Sequence, residues 1–340
     1  MMKGFQIGIR RACAVIIGIV LFFAGLLKLM DPVGTGLVVE AYLKFFHVSF
    51  LLPAAKVAGV FVALVETSLG VILVTGLWRK VAAVATFVVL SCFTLLTLVL
   101  LIANPEMSCG CFGEAFPLTH LQSFLKNVTL CLLSCAAFIP LQDGAAPRKP
   151  KFVAFALVEA FVVFFTVYSL NSIPFIDFTD YSRGVELEDR HFSFRDDAGE
   201  YADSLVFEGK TLFITVFDPE SMTEEDWTNV NASVEKALDN AVRPILLSSE
   251  RDAVPPVFEE FLYVADPGML MTFNRSNGGT TYVSEGLVVD KWKIGALPGR
   301  EAFATLVAED PYDRMLDTSS YRRLTAESVL LACLAVMLLL

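Results

Sequence analysis

Long apolar runs separated by short polar breaks fill the first half of the chain, and this pattern stops near residue 170. A helix crosses a bilayer with about 20 mostly apolar residues at roughly 1.5 Å each. Runs of that kind occupy 12–29, 57–78, 81–103, 120–140 and 152–170, which predicts four early spans and a fifth. Beyond 171 the pattern is that of a folded α/β domain. An apolar, β-branched stretch at 211–217 predicts a buried strand. A helix is expected over 223–238, capped by Thr223 with acidic residues in its first turn. Further strands are expected at 245–248, 280–283 and 287–292, the last two forming a hairpin around Glu285-Gly286. An apolar stretch returns at 324–340, and a sixth span tethering the soluble domain at both ends is the preferred expectation over a helix lying on the membrane surface.

Composition agrees with the pattern, since 55% of residues are hydrophobic and only 19% are charged. Basic residues flank the runs on alternate sides: Lys3, Arg10 and Arg11, then Arg79 and Lys80, then Arg148, Lys149 and Lys151. The positive-inside rule puts these in the cytoplasm, and the loops 31–56 and 104–119 outside. The first run is long for a cleavable signal, and Lys28-Leu29-Met30-Asp31-Pro32 follows it in place of a small-residue cleavage site, so it is expected to remain as a span. Residues 171–323 carry 29 acidic against 14 basic residues, more net negative than the whole chain at −11. That balance argues against nucleic acid or an anionic membrane surface as partner.

Seven cysteines occur, none of them between 171 and 323. Cys13, Cys92, Cys131, Cys135 and Cys333 lie in apolar helical runs, where a cysteine behaves as a small hydrophobe. Cys109 and Cys111 stand apart, in the turn Asn104-Pro105-Glu106-Met107-Ser108-Cys109-Gly110-Cys111-Phe112-Gly113-Glu114 between the third and fourth spans. A disulfide across one intervening residue closes a very small ring, so it is strained and readily reduced, which favours transfer over stapling. The alternatives are two idle thiols or a rigid loop clip. His120, near this turn, is a candidate for lowering a thiol pKa, with plain solvation as the bland reading. Glu66 and Glu159 fall inside spans, where a carboxylate must be protonated, paired or hydrated. For Glu66 a proton relay or quinone contact stands level with an interhelical hydrogen bond; for Glu159 the hydrogen bond is preferred. Lys28 lies near an outer helix end, where snorkelling or a local ion pair is expected. No metal site is expected, because no histidine or second cysteine pair completes a four-ligand set.

Arg11 with Gly18 and Gly25, the Lys28-Leu29-Met30-Asp31-Pro32 helix exit, Glu66 with Gly70, and Cys109-Gly110-Cys111-Phe112-Gly113 together resemble DoxX-like membrane proteins, in the branch containing the MauE family. The resemblance covers roughly the first 140 residues. It implies a four-helix membrane bundle engaged in electron transfer or disulfide handling outside the cytoplasm, and a part in maturing a disulfide-rich enzyme subunit. More weakly, Phe192-Ser193-Phe194-Arg195-Asp196-Asp197-Ala198-Gly199 resembles the opening strand and turn of a thioredoxin-like domain. Where such a domain carries Cys-x-x-Cys this chain has Asp218-Pro219-Glu220-Ser221-Met222, and Gly278-Gly279 stands where a cis-proline is usual.

The fold expected is therefore a membrane α-helical bundle, a four-helix DoxX/MauE-like core over 1–145 with a fifth span at 146–170, followed by an extracytoplasmic α/β thioredoxin-like domain at 171–323 and a terminal helix at 324–340. The leading functional expectation is a thiol-disulfide oxidoreductase of the bacterial inner membrane, with a cytoplasmic N-terminus and a periplasmic soluble domain. Cys109 and Cys111 would exchange electrons between an extracytoplasmic thiol or disulfide protein and a membrane acceptor such as quinone, with Glu66 and His120 assisting. The alternative is a non-enzymatic assembly or maturation factor anchored in the lipid bilayer. A transporter ranks last, since no interrupted helix pair or inverted repeat is visible.

Overall fold

The computed structural model describes residues 2–107, 109–140, 149–190 and 192–339. Two compact units divide the chain, one made of Met1–Leu170 with Glu327–Leu340 and the other of Asn171–Ala326.

The helical unit opens with α1 (Met2–Met30), which runs directly into a shorter helix, α2 (Pro32–Phe45). The break between them is chemical: Asp31 Oδ1 accepts from the Gly34 amide at 2.9 Å, and Pro32 occupies the first helical position, where its missing N–H costs nothing. Next come α3 (Ala55–Thr75) and α4 (Arg79–Ala103), then the short extended segment β1 (Cys111–Glu114), α5 (His120–Phe138) and α6 (Lys149–Leu170). Five helices, spanning Gln6–Met30, Ser49–Thr75, Arg79–Ala103, His120–Phe138 and Lys149–Leu170, are long and apolar enough to cross a membrane. The expected boundary at 145 falls outside the described residues.

Small residues seat α1 against α3. A Cβ on Gly70 would meet the Phe22 amide nitrogen at 2.5 Å and the Gly18 carbonyl at 2.6 Å, so only glycine lets these backbones approach so closely. The basic flanks read as topology signals also close helix ends. Arg11 donates to the Leu73 carbonyl at 2.8 Å and to that of Val74, while Arg10 and Arg79 reach the Ala137 carbonyl at 3.2 and 3.3 Å. Each cation thus meets carbonyls left open at a helix C-terminus. Ser68 donates to Glu159 Oε2 at 3.0 Å, the interhelical bond expected for that carboxyl.

In the second unit a six-stranded sheet has the order β2-β5-β4-β3-β6-β7. Its strands are β2 (Phe194–Arg195), β3 (Lys210–Val216), β4 (Arg243–Ser248), β5 (Leu262–Ala265), β6 (Gly279–Ser284) and β7 (Leu287–Trp292). The central strands β3, β4 and β5 are parallel; β6, β7 and β2 run antiparallel to their neighbours. Helices α7 (Glu224–Asp239), α8 (Pro267–Phe273) and α9 (Arg300–Ala308) cover the faces. Strand β3 is buried on both sides, with Phe213 turned to Phe192 and Phe273, and Leu212, Ile214 and Val216 to the opposite layers, which accounts for its unbroken apolar sequence. Thr223 caps α7 reciprocally with Asp226, as its sequence indicates. Glu285 and Gly286 both take positive φ, the turn that a two-residue hairpin needs.

The segment entering this unit is fixed to β7 by two buried ion pairs, Lys291–Asp177 at 2.7 Å and Arg183–Asp290 at 2.6 Å. Burial alone would raise the Asp177 carboxyl, but the Lys291 ammonium and the Thr179 amide hold it below its ordinary range.

The chain ends in one continuous helix, α10 (Pro311–Leu339), which differs from the expected separate sixth span. It is not among the five helices that meet the crossing criterion, because its apolar part begins only near residue 324. Cys333 and Met337 nevertheless pack into the helical unit beside Phe22, Val158 and Val162.

Candidate functional site

The turn after α4 starts at Asn104, which takes a left-handed conformation and ends that helix. Cys109 is buried and Cys111, at the start of β1, is partly exposed. Their sulfurs lie 2.8 Å apart. Closure to a disulfide at about 2.05 Å needs a movement of less than about 1 Å. Gly110 makes this possible in two ways: its φ is +59°, and a Cβ there would lie 2.5 Å from Val38 Cγ1 on α2. The Tyr42 hydroxyl, also on α2, donates to the Cys109 carbonyl. Helix α2, in a stretch whose pattern predicts an outer loop, is thus the wall against which the dithiol turn is set.

The two sulfurs are not equivalent. A hydrogen bond from the Cys109 thiol brings Cys111 down to about 5 against the opposing effect of burial, with help from the Lys126 ammonium, the Ser123 hydroxyl and the Lys28 ammonium. The same bond, together with burial, pushes Cys109 well above an ordinary thiol. One negative charge is therefore held at Cys111, with Cys109 retaining its proton. Lys126 is itself placed by the Phe112 ring, whose centroid lies 4.8 Å from Nζ.

Cys109 and Cys111 line a partly open cavity of about 250 Å³ bounded by residues of α1 to α5. Val38, Val62, Phe93 and Leu96 give it apolar walls, and Lys28, Glu66, Lys126 and Asn127 supply its polar groups. Lys28 Nζ and Glu66 Oε2 are 2.5 Å apart and buried. This is the local ion pair given as one alternative for Lys28 and the interhelical bond given as one for Glu66, made to an ammonium on α1. Asn127 donates to the Phe93 carbonyl and to Thr97 Oγ1, each at 3.2 Å, linking α5 to α4.

Of the four residues singled out from sequence, Cys109, Cys111 and Glu66 line one cavity. His120 does not. Its Nε2 lies 3.0 Å from the Pro105 carbonyl, where it braces the start of the turn, and the cations near Cys111 are Lys126 and Lys28. The sequence pattern does not single out Lys126, Tyr42 or Asn127. The Asp31-Pro32 cap signal could have revealed α2 and hence Tyr42, and Lys126-Asn127 is a polar pair inside an apolar run. The remaining described cysteines are away from this cavity; Cys131 Sγ lies 3.4 Å from Thr94 Oγ1. Among the described residues, no group of three or more histidine, cysteine or carboxylate side chains could hold a metal ion.

In the second unit the segment after β3 contains no thiol and is closed by Asn277. That side chain accepts from the Asp218 amide at 3.2 Å and donates to the Asp218 carbonyl at 2.7 Å and to Ser221 Oγ at 3.3 Å.

Five helices long and apolar enough to cross a membrane, four of which line the cavity together with α2, define a helical membrane protein with a mixed-sheet domain attached. Residues 8–140 match the family described as methylamine utilisation protein MauE, so the family resemblance read from the sequence holds for the helical region. The sheet domain lies outside the matched residues. No curated protein and no solved structure matches the chain.

Proposed function

We propose that this chain is a thiol-disulfide redox protein of the bacterial inner membrane, in which Cys109 and Cys111 alternate between dithiol and disulfide in exchange with an extracytoplasmic thiol or disulfide protein. The observation that carries this reading is the sulfur pair itself, partly exposed Cys111 and buried Cys109 only 2.8 Å apart, with Lys126 and Lys28 favouring the charged form of Cys111. Nucleophile and resolving thiol are the two roles that exchange through a mixed disulfide demands. Access assigns them. The partner bonds to Cys111, and Cys109 closes on Cys111 to release it.

The positive-inside pattern supports a cytoplasmic N-terminus, and five spans carry residues 171–326 to the opposite side, the periplasm. The order of β3, α7, β4, β6, β7 and α9, with β3 and β4 parallel and β6 and β7 antiparallel, supports a thioredoxin-like reading of that domain. Having no cysteine, it serves to hold a partner and leaves the exchange to Cys111. The same thiol-free, acidic domain also favours the second reading, a non-enzymatic factor that assists maturation of another protein, as the family's link to methylamine utilisation suggests.

Trapping separates the two. The Cys109→Ser variant should accumulate a mixed disulfide with a periplasmic protein through Cys111, visible as a reductant-sensitive band on non-reducing gels. Cys111→Ser should accumulate little. Absence of any adduct with Cys109→Ser would leave the non-enzymatic reading standing.

A further inference from the structure

The cavity behind the sulfurs is larger than the exchange with a protein partner requires, and it has a chemistry of its own. Its walls are mostly apolar, and apart from α2 and the dithiol turn they belong to helices long and apolar enough to cross a membrane, a setting that suits a lipid-soluble occupant. Its polar groups are few and convergent: the buried Lys28–Glu66 pair, the Asn127 amide and Lys126. Its volume of about 250 Å³ is just under the lower end, about 300 Å³, of sites for drug-sized molecules. One substituted ring fits, with any tail left among the helices. Cys109 and Cys111 form part of the same wall, in reach of whatever occupies the space.

We infer that this cavity binds the ring of a lipid-soluble quinone and passes the electron pair of the dithiol to it. The inference rests on the redox reading above and supplies the membrane acceptor that reading requires. An acceptor here must be apolar, flat, and able to take two electrons with two protons, and it must present an oxygen to the buried Lys28 ammonium. Quinones combine these properties.

In the step proposed, the Cys111 sulfur adds to a ring carbon. The Cys109 sulfur then attacks Cys111, forming the S–S bond and breaking the S–C bond, and the electron pair leaves on the ring. Two sulfurs lose one electron each and one quinone becomes one quinol. Of the two protons the quinol gains, one comes from the Cys109 thiol. The other comes from the Lys28 ammonium, which Glu66 holds in place and which recovers its proton from the aqueous side.

The test uses the full chain, reduced and reconstituted in lipid nanodiscs, with a ubiquinone carrying a ten-carbon tail as oxidant and oxidised glutathione as a water-soluble control. Ala58 lines the cavity and takes no part in the chemistry. The native chain should lose both thiols to the quinone, with one quinol formed per disulfide by ultraviolet absorbance. Ala58→Phe should slow this by about ten-fold or more, because displacing the ring by even 1 Å is that costly, while its reaction with glutathione stays unchanged. Val62→Phe, filling the cavity from a second helix position, should do the same, and decides the matter if Ala58→Phe fails to react with glutathione. If glutathione oxidises the native pair and the quinone does not, or if both filling variants react with quinone at the native rate, the quinone site is overturned and the exchange reading stands. If neither oxidant acts on the native pair, the redox reading falls with it.

Discussion

At the scale of single residues, the account depends on the division of labour between Cys109 and Cys111. Two thiols 2.8 Å apart in a low-dielectric wall cannot both ionise, and surrounding cations decide which one does. Lys126 and Lys28 both stabilise charge on Cys111. The sign of the pH dependence follows. A depressed pKa means that the thiolate persists as pH falls, until the pH passes through about 5, and is lost below it. Alkylation of the reduced protein by iodoacetamide, read at Cys111 by mass spectrometry, should therefore be half-maximal near pH 5, against about 8.5 for an ordinary cysteine. In Cys109→Ala, which removes the donated hydrogen bond, the midpoint should move upward. A native midpoint at the ordinary value would show that Cys111 is not the ionised sulfur. The dithiol itself was plain in the sequence, because a turn between two apolar runs exposes its chemistry locally. Its supporting cast was not. Lys28 and Glu66 are 38 positions apart and Lys126 is 15 beyond Cys111, so their convergence is a product of packing that no local pattern encodes.

At the scale of elements, the close approach of α1 and α3 positions the Lys28–Glu66 pair. Neither charge is solvated, so each depends on the other; leaving one alone in such a setting costs about 3–5 kcal/mol. Gly18 and Gly70 are where the two backbones come closest. Gly70→Ala should lower the thermal midpoint of the detergent-solubilised protein, corresponding to about 1–3 kcal/mol of overpacking, whereas Gly8→Ala, with nothing within 4 Å of the added carbon, should leave it unchanged or raise it. Equal responses would refute the tight seam. Element prediction from sequence succeeded where periodicity was long: α3 to α6, β3, α7 and the β6–β7 hairpin lie within a few residues of expectation, while α1 begins ten residues before the expected start at 12. It failed for α2, whose 14 residues include two glycines and no clear apolar stripe, and for β5, only four residues long. The terminal helix was expected to begin near 324, yet α10 starts at Pro311, since polar residues continue a helix as readily as apolar ones.

At the scale of the whole molecule, the chain joins an apolar helical unit that carries all seven cysteines to a domain that carries none. The sharp change in composition near residue 171 made the division legible, and the two units follow it. What composition could not convey is that the sulfurs open on a cavity inside the helical unit as well as toward the surface. The claim that Cys109 and Cys111 change redox state in use is tested most directly in living cells by mass-tag thiol trapping, with the Cys109→Ser, Cys111→Ser double variant as reference. The account predicts that part of the native population resists tagging at two sites until reductant is added, that this fraction shifts within minutes of an external thiol or oxidant, and that the double variant loses function. A pair that is always fully tagged, with a double variant indistinguishable from native, would contradict it.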